Sequence, residues 1–346
     1  MKVILTGDVN LMNVTDPRQP FARVREELRA ADLVFSNLEC SLYVPQFEHS
    51  IENEGFFADP NVGAQALQDA GIAAVGIANN VNYGEAPIRS SLKTLDEYGI
   101  AHTGAGTNSA RARAPAIVER DGVRFGFLQR SSVYWSVNHE AGENGTGIAV
   151  LPGHTAYQVP MYKTRRGAIP FNRPGIPPNI VTWADPDYLD RYAQEVTALR
   201  KEVDIVVASC HWGLSAEVLT YMKEIAHRAI DAGADIVIGH GPHRPLPAGT
   251  YKGKPVFYGL GSFSFHTGHD GIKHGDWIGL MVDLVVDRQG ISKTAFRFVR
   301  HNEDNETVPA AMENEGATIE LLSKHSLPLG AKLEVNDNEI ILVPGS

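Results

Sequence analysis

Apolar runs recur along the chain, and six of them end in a short polar motif. Residues 3–6 lead into Gly7-Asp8-Val9-Asn10, residues 33–36 into Asn37-Leu38-Glu39, and residues 74–78 into Asn79-Asn80. Further on, residues 205–210 lead into His211-Trp212-Gly213, residues 235–238 into Gly239-His240-Gly241-Pro242-His243, and residues 256–258 into Gly259-Leu260-Gly261-Ser262. Runs of this length, separated by helix-like stretches, predict buried strands of an α/β sheet. In open α/β sheets, ligand sites gather outside the carboxyl ends of the strands. One Asp, one Glu, paired Asn and three His are therefore aimed at one cleft, a set that suits a metal with mixed nitrogen and oxygen ligands.

Helical spacing is predicted over residues 20–31, with Phe21, Val24 and Leu28 on one face, and again over 61–70, 87–98, 186–200 and 214–232. Gly71 and Gly99 are placed to stop two of these helices. Additional strands are predicted at 123–128, 235–239, 256–259, 278–286 and 294–300, the last alternating as a half-exposed antiparallel strand does. Residues 307–346 give one helix, at 310–324, and a small hairpin that ends in the apolar run 340–343. The domain expectation is one domain over 1–303 with an extension, 304–346, packing on it. Residues 134–182 break the rhythm, with Pro152, Pro160, Pro170, Pro174, Pro177 and Pro178 among aromatic residues that include Tyr134 and Trp135, and with Trp183 at the edge. Long loops inside a compact domain are usually functional, and the aromatic content argues against simple disorder. This stretch reads as a lid-like insertion over the mouth of the site.

Composition narrows the function classes. The chain has 346 residues, 43% of them hydrophobic, enough for a sizeable core. A net charge of -10 argues against general nucleic-acid binding, which needs a basic face. The two cysteines, Cys40 and Cys210, make no disulfide framework or Cys-x-x-Cys zinc motif, and read as small buried side chains. No apolar run approaches the ~18 to 20 residues of a membrane span, and no signal peptide precedes the first strand. The expectation is a cytoplasmic protein, unless a leader or anchor has been removed. Of 13 histidines, seven lie between His211 and His274, which raises the odds that several of them form a site. His227, mid-helix, reads as a packing residue.

Taken in order, Gly-Asp-Val-Asn, Asn-Leu-Glu, Ala-Asn-Asn, His-Trp-Gly, Gly-His-Gly-Pro-His and Tyr-Gly-Leu-Gly-Ser-Phe resemble the CapA family of poly-γ-glutamate capsule biosynthesis proteins, within the calcineurin-like metallophosphoesterase superfamily. The resemblance covers roughly residues 2–285. It implies a four-layer α/β/β/α sandwich and one or two divalent cations (Mn, Fe, Zn or Ca) held by Asp8, Glu39, Asn80, His211, His240 and His243. Asn10 stands where many superfamily members carry a histidine. It is taken as catalytic, and Asn79, Trp212, Arg244, Tyr134 and Trp135 as substrate-binding. Carboxylates and amide oxygens suit hard cations, and imidazoles suit zinc, iron or manganese.

Two departures matter. The family usually reads Ala-Asn-Asn-His, and here Val81 replaces the histidine that in phosphoesterases protonates the leaving group, a contribution commonly of ~10²- to 10⁴-fold. After Gly-Ser-Phe comes a loop rich in His and Asp, in which His266, His274 and Asp276 are candidate replacement acid/base groups. The resemblance implies a metal-dependent enzyme, hydrolysing or transferring at a phosphoester or γ-glutamyl amide bond, with a small-molecule, peptide or polyglutamate substrate. Some CapA-like proteins act as metal-dependent peptide epimerases, and a non-catalytic polymer-binding subunit, aided by a basic patch at Arg165, Arg166 and Arg173, is a third reading. Oligomeric state is left open.

Overall fold

A computed structural model describes residues 1–45, 55–159, 177–213, 216–265, 267, 277–336 and 338–345. The chain is mixed α/β, as expected. Its first strand, Lys2–Asn10, is buried from Val3 onward and lies at the heart of a ten-stranded sheet among the described residues. Leu33–Leu38, Ala74–Gly76 and Ala101–Thr103 add to one side in parallel. Gly279–Asp287, Gly290–His301 and Ile340–Pro344 add antiparallel to the other, with Ala331–Val335 at the edge. A second, six-stranded sheet has a parallel centre of Val123–Ser131, Ile205–His211, Ile236–His240 and Lys254–Leu260, with antiparallel edges Ala116–Arg120 and Pro245–Tyr251.

Alternation along the strands decides what packs where, because successive side chains point to opposite faces. Val3, Leu5, Leu33 and Phe35 of the first sheet share one apolar cluster with Phe125, Phe127, Val207, Ile238 and Phe257 of the second. Phe35 and Phe127 stack with ring centroids 4.7 Å apart and planes 2° from parallel. Ile4, Val34 and Val75 face the other way, into a cluster with Leu67 of the helix Pro60–Asp69 and with Ile88 and Leu95 of the helix Glu85–Glu97. Val206, Ala208 and Val237 do the same for the second sheet, against Val196 of Pro186–Arg200 and Ile225 of Thr220–Ala232. Two of the helices begin alike: Asp59 and Asp185 accept hydrogen bonds from first-turn amides, and a proline follows each cap.

The structure departs from the sequence expectations in several elements. Residues 20–31 yield only a short helix, Arg25–Arg29. Phe21, Val24 and Leu28 are buried as expected, but tight turns precede the helix, where Phe21's carbonyl accepts from both Val24 and Arg25. Part of the expected loop at 134–182 is an antiparallel hairpin, Gly153–Gln158 with Asn179–Ala184, rich in β-branched and aromatic residues. Two edge strands escaped the pattern. Each joins its neighbour through a two-residue turn with positive φ, Asp121-Gly122 and Lys252-Gly253, a hairpin signal the apolar pattern does not carry. The C-terminal helix begins at Gly316, after a 3₁₀ turn at Met312–Asn314. The last strands pair with Gly290–His301, so residues 331–344 extend the large sheet. No described helix is long and apolar enough to cross a membrane.

The Phe35–Phe127 stack joins the two sheets, so Phe127→Ala should lower the free energy of unfolding by about 3–5 kcal/mol, read from the urea midpoint at unchanged slope.

Candidate metal centre

Asp8, Asn37, His211 and His240 lie in or at the ends of parallel strands, and Glu39 follows directly after one. Register fixes their neighbourhood: Asp8 pairs with Asn37 and with Ser262, and His211 pairs with His240. Gly7 is required beside Asp8, because a Cβ there would lie 1.9 Å from the Gly261 carbonyl oxygen. His243 sits in a left-handed backbone conformation, φ 53°, just after Gly241 at φ 107°. A non-glycine residue held in that region stores strain of order 1 kcal/mol, and such positions cluster at functional sites.

The side chains converge. Asp8, Glu39 and His211 each offer a ligand atom, all within 4.8 Å of one another, and all three residues are buried. His240 Nδ1 lies 3.1 Å from Asp8 Oδ1, and His243 lies 3.2 Å from Asp8 and 3.5 Å from Glu39. Asn37 donates its amide to Asp8 at 2.8 Å and, more weakly, to Glu39 at 3.4 Å. Burial raises the Asp8 carboxyl, but hydrogen bonds to His240 and His243 outweigh it and hold Asp8 well below the usual carboxylate range. Glu39 moves the opposite way: burial pushes it well above its ordinary value, and the Asp8 charge adds to the rise. Burial alone would lower His243, yet Glu39 and Asp8 together lift it to about 9.

Two histidines are held with an open lone pair. His211 Nε2 donates to Asn80 Oδ1 at 2.8 Å, and His240 Nδ1 donates to Asp8. Those contacts fix each tautomer and leave the lone pairs of His211 Nδ1 and His240 Nε2 buried with no hydrogen-bond partner. Burial drives the His211 pKa down to about 3, so the ring is neutral, as a ligand must be. A buried lone pair without a partner is costly, and a divalent cation would satisfy both. The residues present therefore fit a metal ion.

Several expected site residues take other places. Asn80 meets His211 through its side-chain oxygen, which orients that ring. Asn79 is fully buried and donates to Asn37 and to the Leu38 carbonyl, so it braces the site from inside. Asn10 has both polar atoms engaged, donating to the Thr267 carbonyl and accepting from the Met12 amide, and an amide has no proton to exchange at neutral pH. Trp212 is fully buried, stacked on Tyr258 and donating to its carbonyl, and offers no surface to a ligand. Arg244 is exposed, as are Tyr134 and Trp135. His227 stacks on Tyr251 with ring centroids 3.8 Å apart, a packing role. Cys40 and Cys210 are free and buried, and burial pushes each thiol up to about 12. His266, His274, Asp276, Arg165, Arg166 and Arg173 lie outside the described residues.

Other residues were not anticipated. Gln129 donates to Asn37 and Ser209 and accepts from the Ala78 amide, tying both sheets to the site. Gly76 makes room for it, since a Cβ there would meet the Gln129 side chain at 2.4 Å. Buried His139 accepts from the Trp135 amide at 2.9 Å and donates to the Asn82 carbonyl at 3.0 Å. Asn37 stood inside a quoted motif and Asn82 beside one, while nothing in the sequence marked Gln129 or His139.

Comparison with known proteins agrees with the motif order. Residues 2–267 match the family described as bacterial capsule synthesis protein PGA_cap. The chain belongs to that family. Among curated relatives, a probable polyglutamine synthesis accessory protein of Mycobacterium tuberculosis is 28% identical over 66% of this chain and 56% of its own. The PGA biosynthesis protein CapA of Bacillus subtilis is 26% identical over 72% and 57%, and the capsule biosynthesis protein CapA of Bacillus anthracis 25% over 72% and 54%. The chain thus spans a little over half the length of these curated relatives.

Burial holds His139 down to about 4, against roughly 6.5 when unfolded. Between those values the unfolded chain takes up a proton that the folded chain refuses. This residue's contribution to the stability of the metal-free protein should therefore be full above pH 6.5 and fall as pH drops toward 4, by up to about 3 kcal/mol. Urea midpoints across pH 4–7 test this, and His139→Gln should show a shallower decline than wild type.

Proposed function

We propose that this PGA_cap protein is a metal-dependent enzyme of calcineurin-like type, built as a four-layer α/β/β/α sandwich, acting by hydrolysis or transfer at a phosphoester or γ-glutamyl amide bond. The carrying observation is the buried convergence of Asp8, Glu39 and His211 within 4.8 Å, with the lone pairs of His211 Nδ1 and His240 Nε2 lacking partners. The names of its relatives support an association with poly-γ-glutamate or capsule metabolism. The layered reading draws support from three apolar clusters, one holding side chains of both sheets and one on each sheet's helix-bearing side.

Asp8, Glu39, His211, His240 and His243 would hold one or two divalent cations. When bound, such an ion supplies electrophilic assistance and activates water near neutral pH. The chain's own residues do the positioning. Asn37 spans both carboxylates, Asn80 fixes the His211 ring, and Asp8 fixes the His240 ring. His243 carries a proton against Asp8 and Glu39 while no cation is present, and would release it on metal binding.

A second reading has one specific observation behind it. Val81, where the family usually has histidine, is 1% exposed and packs in the core. Proton transfer at an α-carbon needs no leaving-group acid, so an epimerase on the same cleft fits that substitution.

Metal analysis of wild type, Asp8→Ala and His240→Ala should find one or two equivalents in wild type and loss in both variants, with chelation lowering activity on poly-γ-glutamate or a chromogenic phosphodiester by at least ~10²-fold. A wild type that stays empty in Mn, Fe, Zn and Ca would overturn the proposal. Deuterium incorporation at an α-carbon without bond cleavage would favour the epimerase instead.

A further inference from the structure

The chain passes from the smaller sheet to the larger one across a single glycine. Lys254–Leu260 belongs to the six-stranded sheet, and Ser262–Phe265 pairs in parallel with the first strand of the other. Gly261 makes the crossing at φ 70°, and its carbonyl accepts from the Asp8 amide at 2.9 Å. Ser262 follows directly, and its register partner is Asp8. Paired residues of parallel strands carry their side chains on one face, and alternation shows which face that is. Val9 and Phe263, the next residues along, join the helix-side apolar cluster, where Phe263 stacks on Phe21. Asp8 and Ser262 therefore point the other way, toward the junction of the sheets. Asn37 stands on one side of Asp8 and Ser262 on the other.

Asn37 is fully engaged there, whereas Ser262 is not. Ser262 is 0% exposed, and its Oγ meets no hydrogen-bond partner among the described residues. Other buried hydroxyls around the site are satisfied: Thr6 with Ser36 at 2.6 Å, Ser41 with Asn82 at 3.0 Å, and Ser209 accepting from Gln129 at 3.2 Å. A buried hydroxyl without a hydrogen bond is costly, so its persistence needs a reason. Two more buried atoms in the same condition, His211 Nδ1 and His240 Nε2, belong to this centre. His240 binds Asp8, and His211 converges on Asp8 and Glu39. Three polar atoms without partners, brought by three strands to one carboxylate, point to one shared ligand.

We propose that the Ser262 hydroxyl is a further oxygen donor of the metal centre, and that it tilts the site toward hard divalent cations. This rests on the cleft holding a cation, as proposed above, and adds a donor and an ion preference that the acid and imidazole set does not define. Oxygen donors suit manganese and calcium, whereas a sulfur in the same place would favour zinc. Gly261 sets the position of the donor, because a Cβ there would lie 2.5 Å from the Ile278 carbonyl oxygen.

The test is isothermal titration calorimetry of the chelator-stripped full chain with Mn²⁺ and with Zn²⁺, beside urea unfolding in a chelator. Ser262→Ala should weaken Mn²⁺ binding about ten-fold or more. Its metal-free urea midpoint should equal or exceed that of wild type, because the change removes a buried hydroxyl that binds nothing. Ser262→Cys should raise the affinity for Zn²⁺ relative to Mn²⁺ by about ten-fold or more over wild type. The proposal falls if Ser262→Ala binds Mn²⁺ as wild type does, if it lowers metal-free stability as loss of a structural hydroxyl would, or if Ser262→Cys leaves the ion preference unchanged. A wild type that takes up neither ion removes the metalloenzyme reading together with this one. A wild type that binds, matched by both variants, removes Ser262 alone.

Discussion

Two carboxylates buried side by side set the terms for everything around them. Asp8 is 0% exposed and Glu39 1%, and one amide nitrogen, that of Asn37, touches both. Two negative charges without water strongly disfavour ionisation of both, so one must hold a proton or a cation must join them. The protein supplies partial answers: a proton on His243, a donated hydrogen bond from His240, and the Asn37 amide. These stabilise Asp8 and leave Glu39 pushed up by burial. With two lone pairs on the histidine rings lacking donors, this set of acids and imidazoles fits a divalent cation.

Holding such a cluster together falls to the junction of the two sheets. Carboxylates arrive from the larger sheet and the imidazoles of His211 and His240 from the smaller one, so the site exists only while the sheets stay in register. Gln129 bridges them with three hydrogen bonds, to Ala78, Asn37 and Ser209, and reaches them because residue 76 is glycine. Below it, Phe35 and Phe127 stack across the same gap. Core packing and site geometry are therefore one problem, since a shift between the sheets moves acid away from base.

The strands, and the polar residues at their ends, were legible because a buried parallel strand writes a continuous apolar run. Asp8, Glu39, His211 and His240 all followed such runs. What was not legible depends on cross-chain distance. Gln129 comes directly after a run that reads as strand, and only its depth opposite Asn37 gives it a role. His139 lies in a stretch read as lid, with no periodicity to place it against Asn82. Asn80 and Trp212 show the converse: motif position brought them to the right neighbourhood, but a hydrogen bond to His211 and a fully buried ring gave them supporting tasks. Sequence order finds the neighbourhood of a side chain, and only packing assigns which atom meets which.

The position of Val81 shows how one apolar residue can fix the use of a whole loop. Its neighbours Asn80 and Asn82 are each gripped through their carbonyls, by the Trp135 indole and by His139. A histidine at 81 would need to reach outward from a segment fastened on both sides. Valine instead turns inward, 1% exposed, and anchors the segment in the core. With valine at 81 the loop carries no titrating group at that position, and the rings of Trp135 and Tyr83 lie exposed beside it. An enzyme of the kind proposed above would then either draw its proton donor from another segment or need none.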